Sequence, residues 1–515
     1  MTNKTLEQST FFSTIKVGSW TLVSRIAGLV RDIFTTSLLG ATFFHDIFVV
    51  VLKIPNVFRK FFAEGAFSQA FIPIYSEYLG KNDEIKSQEF LNSLFGILLT
   101  ALFIFTTIAL LFAPIFIFIF APGFYFDVQK KELAIDLLRI MFPYLALISL
   151  VAFAAGIQNS HNKFSIPAIT PLIFNLSLIV AALLIAPRIE LPVMALAWGV
   201  LLAGFLQLIF QIAPLAAIKK IPVPKINLKN SGVKKFFILI LPAIIAGGIA
   251  QINLLVDTIF ASLLITGSPT WLYVSDRLIQ FPMGIFAIAI GTVLLPNLSK
   301  AYAQKNTQLF ITQLEKAFKL IFYLAVPSVI GLILFASPLL ATIFQRGAFL
   351  WVDVHQASLS LIGFAFGLPF FMAMKVLVPA FFSRQNTKTP MIVAMISLIL
   401  NIILNYLLAF YFELGHLGLA IASSISAIIS VAILSIFLRN DGLIALKAIF
   451  NPFVFQVFIA SSALTVFLSV FNQYINFESL TEIQRLSHLT LAVLCSLFIY
   501  FGVSLMLGIR LKHFR

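Results

Sequence analysis

The chain has 515 residues, of which 60% are hydrophobic and 11% charged, with a mean hydropathy of +1.03 and a formal net charge of +15. Soluble domains carry about 45–50% apolar residues, so this composition excludes a soluble globular protein. One cysteine, Cys495, also excludes an internal disulfide and a cysteine-based metal site.

Apolar runs long enough to cross a hydrocarbon core of about 30 Å as a helix recur from Phe11 to Ile509. Polar and Pro/Gly breaks divide them into fourteen predicted spans: 11–41, 43–78, 90–121, 133–157, 166–187, 192–216, 235–265, 270–301, 315–344, 354–382, 389–411, 415–438, 450–471 and 487–509. The expected fold is an all-α polytopic membrane protein, because a helix satisfies its own backbone groups within lipid. The first ten residues are polar and precede no small-residue cleavage site, so the first span is expected to stay attached.

With the N-terminus placed in the cytoplasm, the opposite loops hold only Lys130, Lys131, Arg188, Arg346 and Arg485. Eight further basic residues fall deeper inside spans, and the remaining twenty-two of the 35, five of them at the cytoplasmic ends of spans, lie on the cytoplasmic side. That asymmetry follows the positive-inside rule and predicts both termini in the cytoplasm. Its densest cluster, Lys219, Lys220, Lys225, Lys229, Lys234 and Lys235, falls between spans six and seven. Topology and contact with anionic membrane lipids account for the net charge, leaving no reason to expect a nucleic-acid partner.

Sliding the chain on itself by about 225 residues lays the first six spans on the next six. At an offset of 225, Leu29, Asp32 and Ser37 fall on Leu254, Asp257 and Ser262; at 224, Pro114 and Gly123 fall on Pro338 and Gly347; at 223, Pro73 and Pro167 fall on Pro296 and Pro390. An even number of spans per copy makes the repeats parallel, an arrangement associated with alternating access to a substrate held between two lobes. The division expected is 1–218 as an N-lobe, 219–440 as a C-lobe and 441–515 as two extra helices, which either brace the C-lobe or form a groove for a long lipid.

The eight basic residues deeper inside spans are Arg25, Arg31, Lys53, Arg59, Lys60, Arg139, Arg277 and Lys375. Each costs at least about 2.5–3.5 kcal/mol at the centre of an inserting helix, so they must line a wet cavity, pair with acids or reach the interface; Lys60 and Arg139 are the ones expected to snorkel. In span one Arg25 and Asp32 share nearly one helical face, with Gly28 a plausible kink between Arg25 and Arg31. In span two Asp46, Lys53, Lys60 and then Glu64 form one charged stripe interrupted by Pro55. The second copy supplies Asp276-Arg277 and Lys375. Guanidinium groups offer forked donors to phosphate oxygens and lysine a point charge, so Arg25, Arg31, Arg59, Arg277 and Lys375 together describe an anion site of roughly diphosphate demand. Asp257, with Asn401 and Asn405, offers the oxygens a sodium or proton coupling site would use.

At these residues the chain resembles the MurJ (MviN) family of lipid II flippases, within the multidrug, oligosaccharidyl-lipid and polysaccharide exporter superfamily. The resemblance is carried by Ser24-Arg25, Gly28 and Arg31-Asp32; by Asp46, Lys53-Ile54-Pro55-Asn56, Arg59, Phe62-Ala63-Glu64-Gly65-Ala66-Phe67-Ser68-Gln69-Ala70-Phe71 and Pro73; by Asp276-Arg277-Leu278 and Phe281-Pro282; and by Phe382-Ser383-Arg384-Gln385 with Lys388-Thr389-Pro390. It implies a bacterial inner-membrane protein that moves lipid II, undecaprenyl-pyrophosphate disaccharide-pentapeptide, to the outer leaflet for peptidoglycan synthesis. Substrate contact is implied for Arg25, Arg31, Arg59, Arg277 and Lys375, with Asp46 and Glu64 at acidic positions of the family. The family's cation site is acidic in span eleven, where this chain has Asn401 and Asn405. No cofactor is expected beyond coupling to membrane potential, Na+ or H+; other cell-wall synthesis proteins are candidate partners. No nucleophile, metal cluster or phosphate-binding glycine loop suggests an enzyme. The rivals are a drug or polysaccharide-lipid exporter, which would want an aromatic, acidic cavity, and a membrane enzyme acting on polyprenyl phosphates, which would want clustered acids or histidines.

Overall fold

A computed structural model describes residues 3–510 apart from 63–65, 82 and 444–451. Among these residues there is no strand. The helices in chain order are α1 (Asn3–Leu39), α2 (Phe43–Phe62), α3 (Ala66–Gly80), α4 (Glu84–Leu111), α5 (Ala113–Phe120), α6 (Pro122–Tyr125), α7 (Val128–Met141), α8 (Tyr144–Ser160), α9 (Ser165–Val180) and α10 (Pro192–Ala217). Then follow α11 (Ser231–Ser262), α12 (Ser268–Pro282), α13 (Ile288–Ala303), α14 (Thr307–Leu334), α15 (Ala336–Phe344), α16 (Trp351–Phe382), α17 (Lys388–Tyr406), α18 (Gly415–Asn440), α19 (Pro452–Tyr474) and α20 (Glu482–Met506).

Eleven helical stretches among the described residues are long and apolar enough to cross a membrane. They occupy predicted spans three to six and eight to fourteen, while α1, the pair α2 and α3, and α11 occupy the first, second and seventh. The protein is a multi-pass membrane protein. Predicted spans three and nine each prove to be two helices: the chain breaks at Phe112 (φ −100°, ψ 23°) and again at Phe335 (φ −108°, ψ 22°). These two caps are 223 residues apart, and the side-chain caps Asp83 and Asn306 that open α4 and α14 keep the same separation. The duplication read from prolines and glycines is therefore repeated in backbone geometry.

Packing divides the chain into two compact units, Met1–Thr266 and Gly267–Arg515. Helix α11, which the repeat places at the head of the second copy, packs in the first unit against α2 and α3. Gly232, at its start, lies against Phe90 and Tyr78 so closely that a Cβ would stand 2.7 Å from the Phe90 ring. In the second unit α16 and α18 form the most extensive pair. Lipid tails are as apolar as leucine, so close approach of small residues does the work that the hydrophobic effect does in water. Gly363 sits against Ala420, Gly367 against Ser424, and the Ser424 hydroxyl donates to the Gly363 carbonyl at 2.7 Å. Helices α19 and α20 pack on each other and, through Phe453, Val457 and Tyr500, on Tyr323 of α14. The Tyr500 hydroxyl donates to the Tyr323 carbonyl at 2.6 Å.

Candidate functional site

Arg31 is buried, and so is Asp32. Arg31 donates from Nε at 3.0 Å and from Nη2 at 2.6 Å to one oxygen of Asp32, and from Nη1 at 3.1 Å to Oδ1 of Asn175 on α9. Its guanidinium also lies 5.5 Å from the centre of the Phe174 ring. Charge, neutral amide and aromatic face together satisfy a planar fork that lipid would not tolerate alone. This differs from the sequence expectation in one respect. Arg25, predicted to share a face with Asp32, is exposed, and the acid is bound by its neighbour Arg31, whose long side chain curls back along the helix.

Gly28 does not break α1, which runs unbroken through it. Its role is room: Asn175 packs on it, and a Cβ there would meet the amide at 3.7 Å. Asn175 Nδ2 donates to the Ser24 carbonyl at 3.0 Å, so one buried amide grips α1 on both sides of Gly28.

On α2, Asp46 is buried, whereas Lys53, Arg59 and Lys60 are half-buried. Pro55 is accommodated inside a continuous helix. Glu64, the last member of the stripe, lies outside the described residues. Arg139 is 50% exposed and lies 3.8 Å from Asp136, which accounts for that charge at a helix end.

In the second unit Arg277 is half-buried on α12, donating from Nη2 to the Tyr273 hydroxyl at 2.9 Å with its guanidinium 5.1 Å from the same ring. Asp276 is exposed and accepts from Gln280 at 3.3 Å. Lys375 is exposed on α16, whose backbone presses on Gly291 so that a Cβ would stand 2.8 Å from the Lys375 carbonyl oxygen. The eight basic residues thus divide between the two units, four arginines with Lys53 and Lys60 in the first and Arg277 with Lys375 in the second.

The suggested coupling residues divide likewise. Asp257 is half-buried on α11 in the first unit, and Asn401 and Asn405 are fully buried on α17 in the second, where Asn405 Nδ2 donates to Asn401 Oδ1 at 2.9 Å. Among the described residues no three His, Cys, Asp or Glu side chains come together as a metal site.

Sequence reasoning missed two polar clusters. In the first unit Gln158 donates to Gln211, Gln211 donates to the Thr170 hydroxyl at 2.7 Å, and Gln207 donates to the Thr170 carbonyl at 3.0 Å, all within α8, α9 and α10. In the second unit Arg485 of α20 is buried, donates to Gln345 and to the Phe477 carbonyl, and lies 5.0 Å from the Trp351 ring. The sequence places Arg485 among the loop charges, whereas it stands in the first turn of α20, and nothing in its neighbours' polarity marks it as a clamp.

The family model described as "Lipid II flippase MurJ" matches residues 35–485. The chain belongs to the MurJ lipid II flippase family. A Vibrio cholerae protein described as "Probable lipid II flippase MurJ" is 40% identical over 429 residues, 82% of this chain and 81% of that protein. A Burkholderia cenocepacia "Lipid II flippase MurJ" is 35% identical over 437 residues, covering 84% of each. A solved lipid II flippase MurJ in an inward-closed conformation superposes with a TM-score of 0.79 at 28% identity, over 95% of this chain and 98% of that one. An inward-facing multidrug transporter of the MATE family, 16% identical, superposes with a TM-score of 0.64 over 83% of this chain and 98% of that one, which shows the shared fold alone.

Proposed function

We propose that this protein is a lipid II flippase of the cytoplasmic membrane, carrying the pyrophosphate-linked precursor of peptidoglycan from the inner to the outer leaflet. The observation that carries this reading is membership of the MurJ family across residues 35–485. The buried, fully engaged Arg31 supports it in physical terms, because a guanidinium is kept at membrane depth only where its cost is offset. Arg25 and Arg59 of the first unit and Arg277 and Lys375 of the second are each assigned to contact with the diphosphate, and Arg31 organises α1.

The protein acts by changing which side its headgroup site faces, not by covalent chemistry, and α19 and α20 shelter the lipid tail. Both termini lie in the cytoplasm. Coupling runs through the membrane potential, worth about 2.3 kcal/mol per charge per 100 mV, with Asp257 or the Asn401–Asn405 pair as the place where Na+ or H+ would act. Other cell-wall synthesis proteins are its expected neighbours.

Depletion in cells tests the reading. Lipid II should accumulate in the inner leaflet and its outer-leaflet accessibility should fall. Wild-type protein should restore it, while Arg25→Ala, Arg59→Ala and Arg277→Ala should not. Unchanged outer-leaflet lipid II after depletion, with no second flippase present, would overturn the assignment.

A further inference from the structure

The segment joining α10 to α11, residues 218–230, is sewn along the first turns of α4. Gln88 Nε2 donates to the Ile221 carbonyl at 3.2 Å, the Val223 amide donates to Asn92 Oδ1 at 2.9 Å, and the Lys225 amide donates to the Asn92 carbonyl at 3.1 Å. At Gly96 the strap comes so near that a Cβ would stand 2.5 Å from the Lys225 carbonyl oxygen. Pro222 and Pro224 keep it from coiling.

Held in this way, the strap leaves Ile221, Val223, Ile226 and Leu228 exposed by 48%, 63%, 68% and 62%. Exposed lysines, Lys219, Lys225 and Lys229, alternate with them, and no acid occurs in the sequence between Glu190 and Asp257. Lys235, just beyond, takes the nearby carboxylate of Glu77 at 2.6 Å, which Lys81 shares. Lys220 is buried beside His161, and its ammonium makes no ion pair among the described residues.

Apolar and cationic side chains interleaved on a fixed strap at the ends of helices match the lipid interface of an anionic leaflet, where the first enter the acyl boundary and the second meet phosphates. A soluble anion would explain the lysines and leave the four apolar groups in water. We propose that the 218–230 strap docks into the headgroup region of the leaflet at its end of the first unit and holds anionic phospholipids there through Lys219, Lys225 and Lys229. This does not depend on the flippase reading.

The test uses full-length protein carrying Cys495→Ala and Leu228→Cys, labelled at position 228 with an environment-sensitive fluorophore and placed in nanodiscs of phosphatidylcholine with or without phosphatidylglycerol. Emission should shift to the blue and be quenched by acyl-chain spin labels when phosphatidylglycerol is present, and salt at about 1 M should reverse this. Replacing the exposed Lys219, Lys225 and Lys229 by glutamine, a change that leaves the core untouched, should weaken docking about fivefold per lysine removed. Identical emission in both lipids, or water-like emission in both, would overturn the proposal. So would a blue shift produced by inorganic phosphate without phosphatidylglycerol, which would assign a soluble anion. A blue shift insensitive to the acyl-chain quenchers would assign a protein contact instead and equally overturn it.

Discussion

Asn175 accepts a hydrogen bond from Arg31 at 3.1 Å and, through its other amide atom, holds the carbonyl of Ser24 nearly two helical turns earlier. One side chain of α9 therefore fixes both the direction of a buried arginine and the path of the helix that bears Arg25. Asn175→Ala should remove one buried and one part-buried hydrogen bond, each worth about 1 kcal/mol, and reduce lipid II transport about tenfold or more at normal expression. Leaflet-accessibility assays in depleted cells measure it; wild-type transport would show that Arg31 needs no such support.

Arg277 rests on Tyr273 twice, through its hydroxyl and over its ring. Tyr273→Phe keeps the aromatic face and should cost about 1 kcal/mol, whereas Tyr273→Ala also removes the cation–π contact, worth about 0.5–2 kcal/mol more. Transport in complemented cells should rank wild type above Phe above Ala. Equal activity in all three would remove Tyr273 from the account of Arg277.

The His161 ring, outside the spans, sits 3.0 Å from the Tyr75 hydroxyl, and burial first and Lys220 second hold its pKa below the ordinary 6.5. The packed state therefore favours neutral imidazole. Its contribution is intact above about pH 6.5 and is lost as the pH falls below it, because the opened chain then binds a proton the packed one resists. Thermal midpoints of purified protein should drop between pH 6.5 and 5 in the wild type and less steeply in Lys220→Gln, where the second cause is gone.

Gly123 and Gly331 make a matched pair of opposite sign. A Cβ on Gly123 would stand 1.9 Å from the Ser262 carbonyl oxygen, and one on Gly331 would meet nothing within 4 Å. Gly123→Ala must move backbone and should destabilise the protein by about 1–3 kcal/mol or more. Gly331→Ala, inside α14, should stabilise it by about 0.5–1 kcal/mol. Detergent-solubilised thermal unfolding reads both.

Much of the fold could be read from sequence because hydropathy and breaks report directly on helices in lipid. Arg31, Asp32, Asp46 and Arg277 stood out since a charge inside an apolar run is costly wherever it points. Which partner each charge takes was hidden. Arg31 chooses its own neighbour Asp32, a pairing helix geometry disfavours for short side chains and a flexible arginine achieves. Asn175 and the Gln158–Gln211–Thr170 chain carry no charge, so only their packing identifies them. The break at Phe112 lies inside an apolar run, and its one signal in the sequence is Pro114 in the first turn of α5.

The first unit keeps α11 while the repeat begins a new copy before it. The repeat read from the sequence and the packing thus draw their boundaries in different places. Genes cut between Thr266 and Gly267 and expressed together should reconstitute an active pair of polypeptides, whereas a cut after Ile218 would strand Gly232 and the rest of that helix from Phe90 and Tyr78, the surfaces on which they are seated.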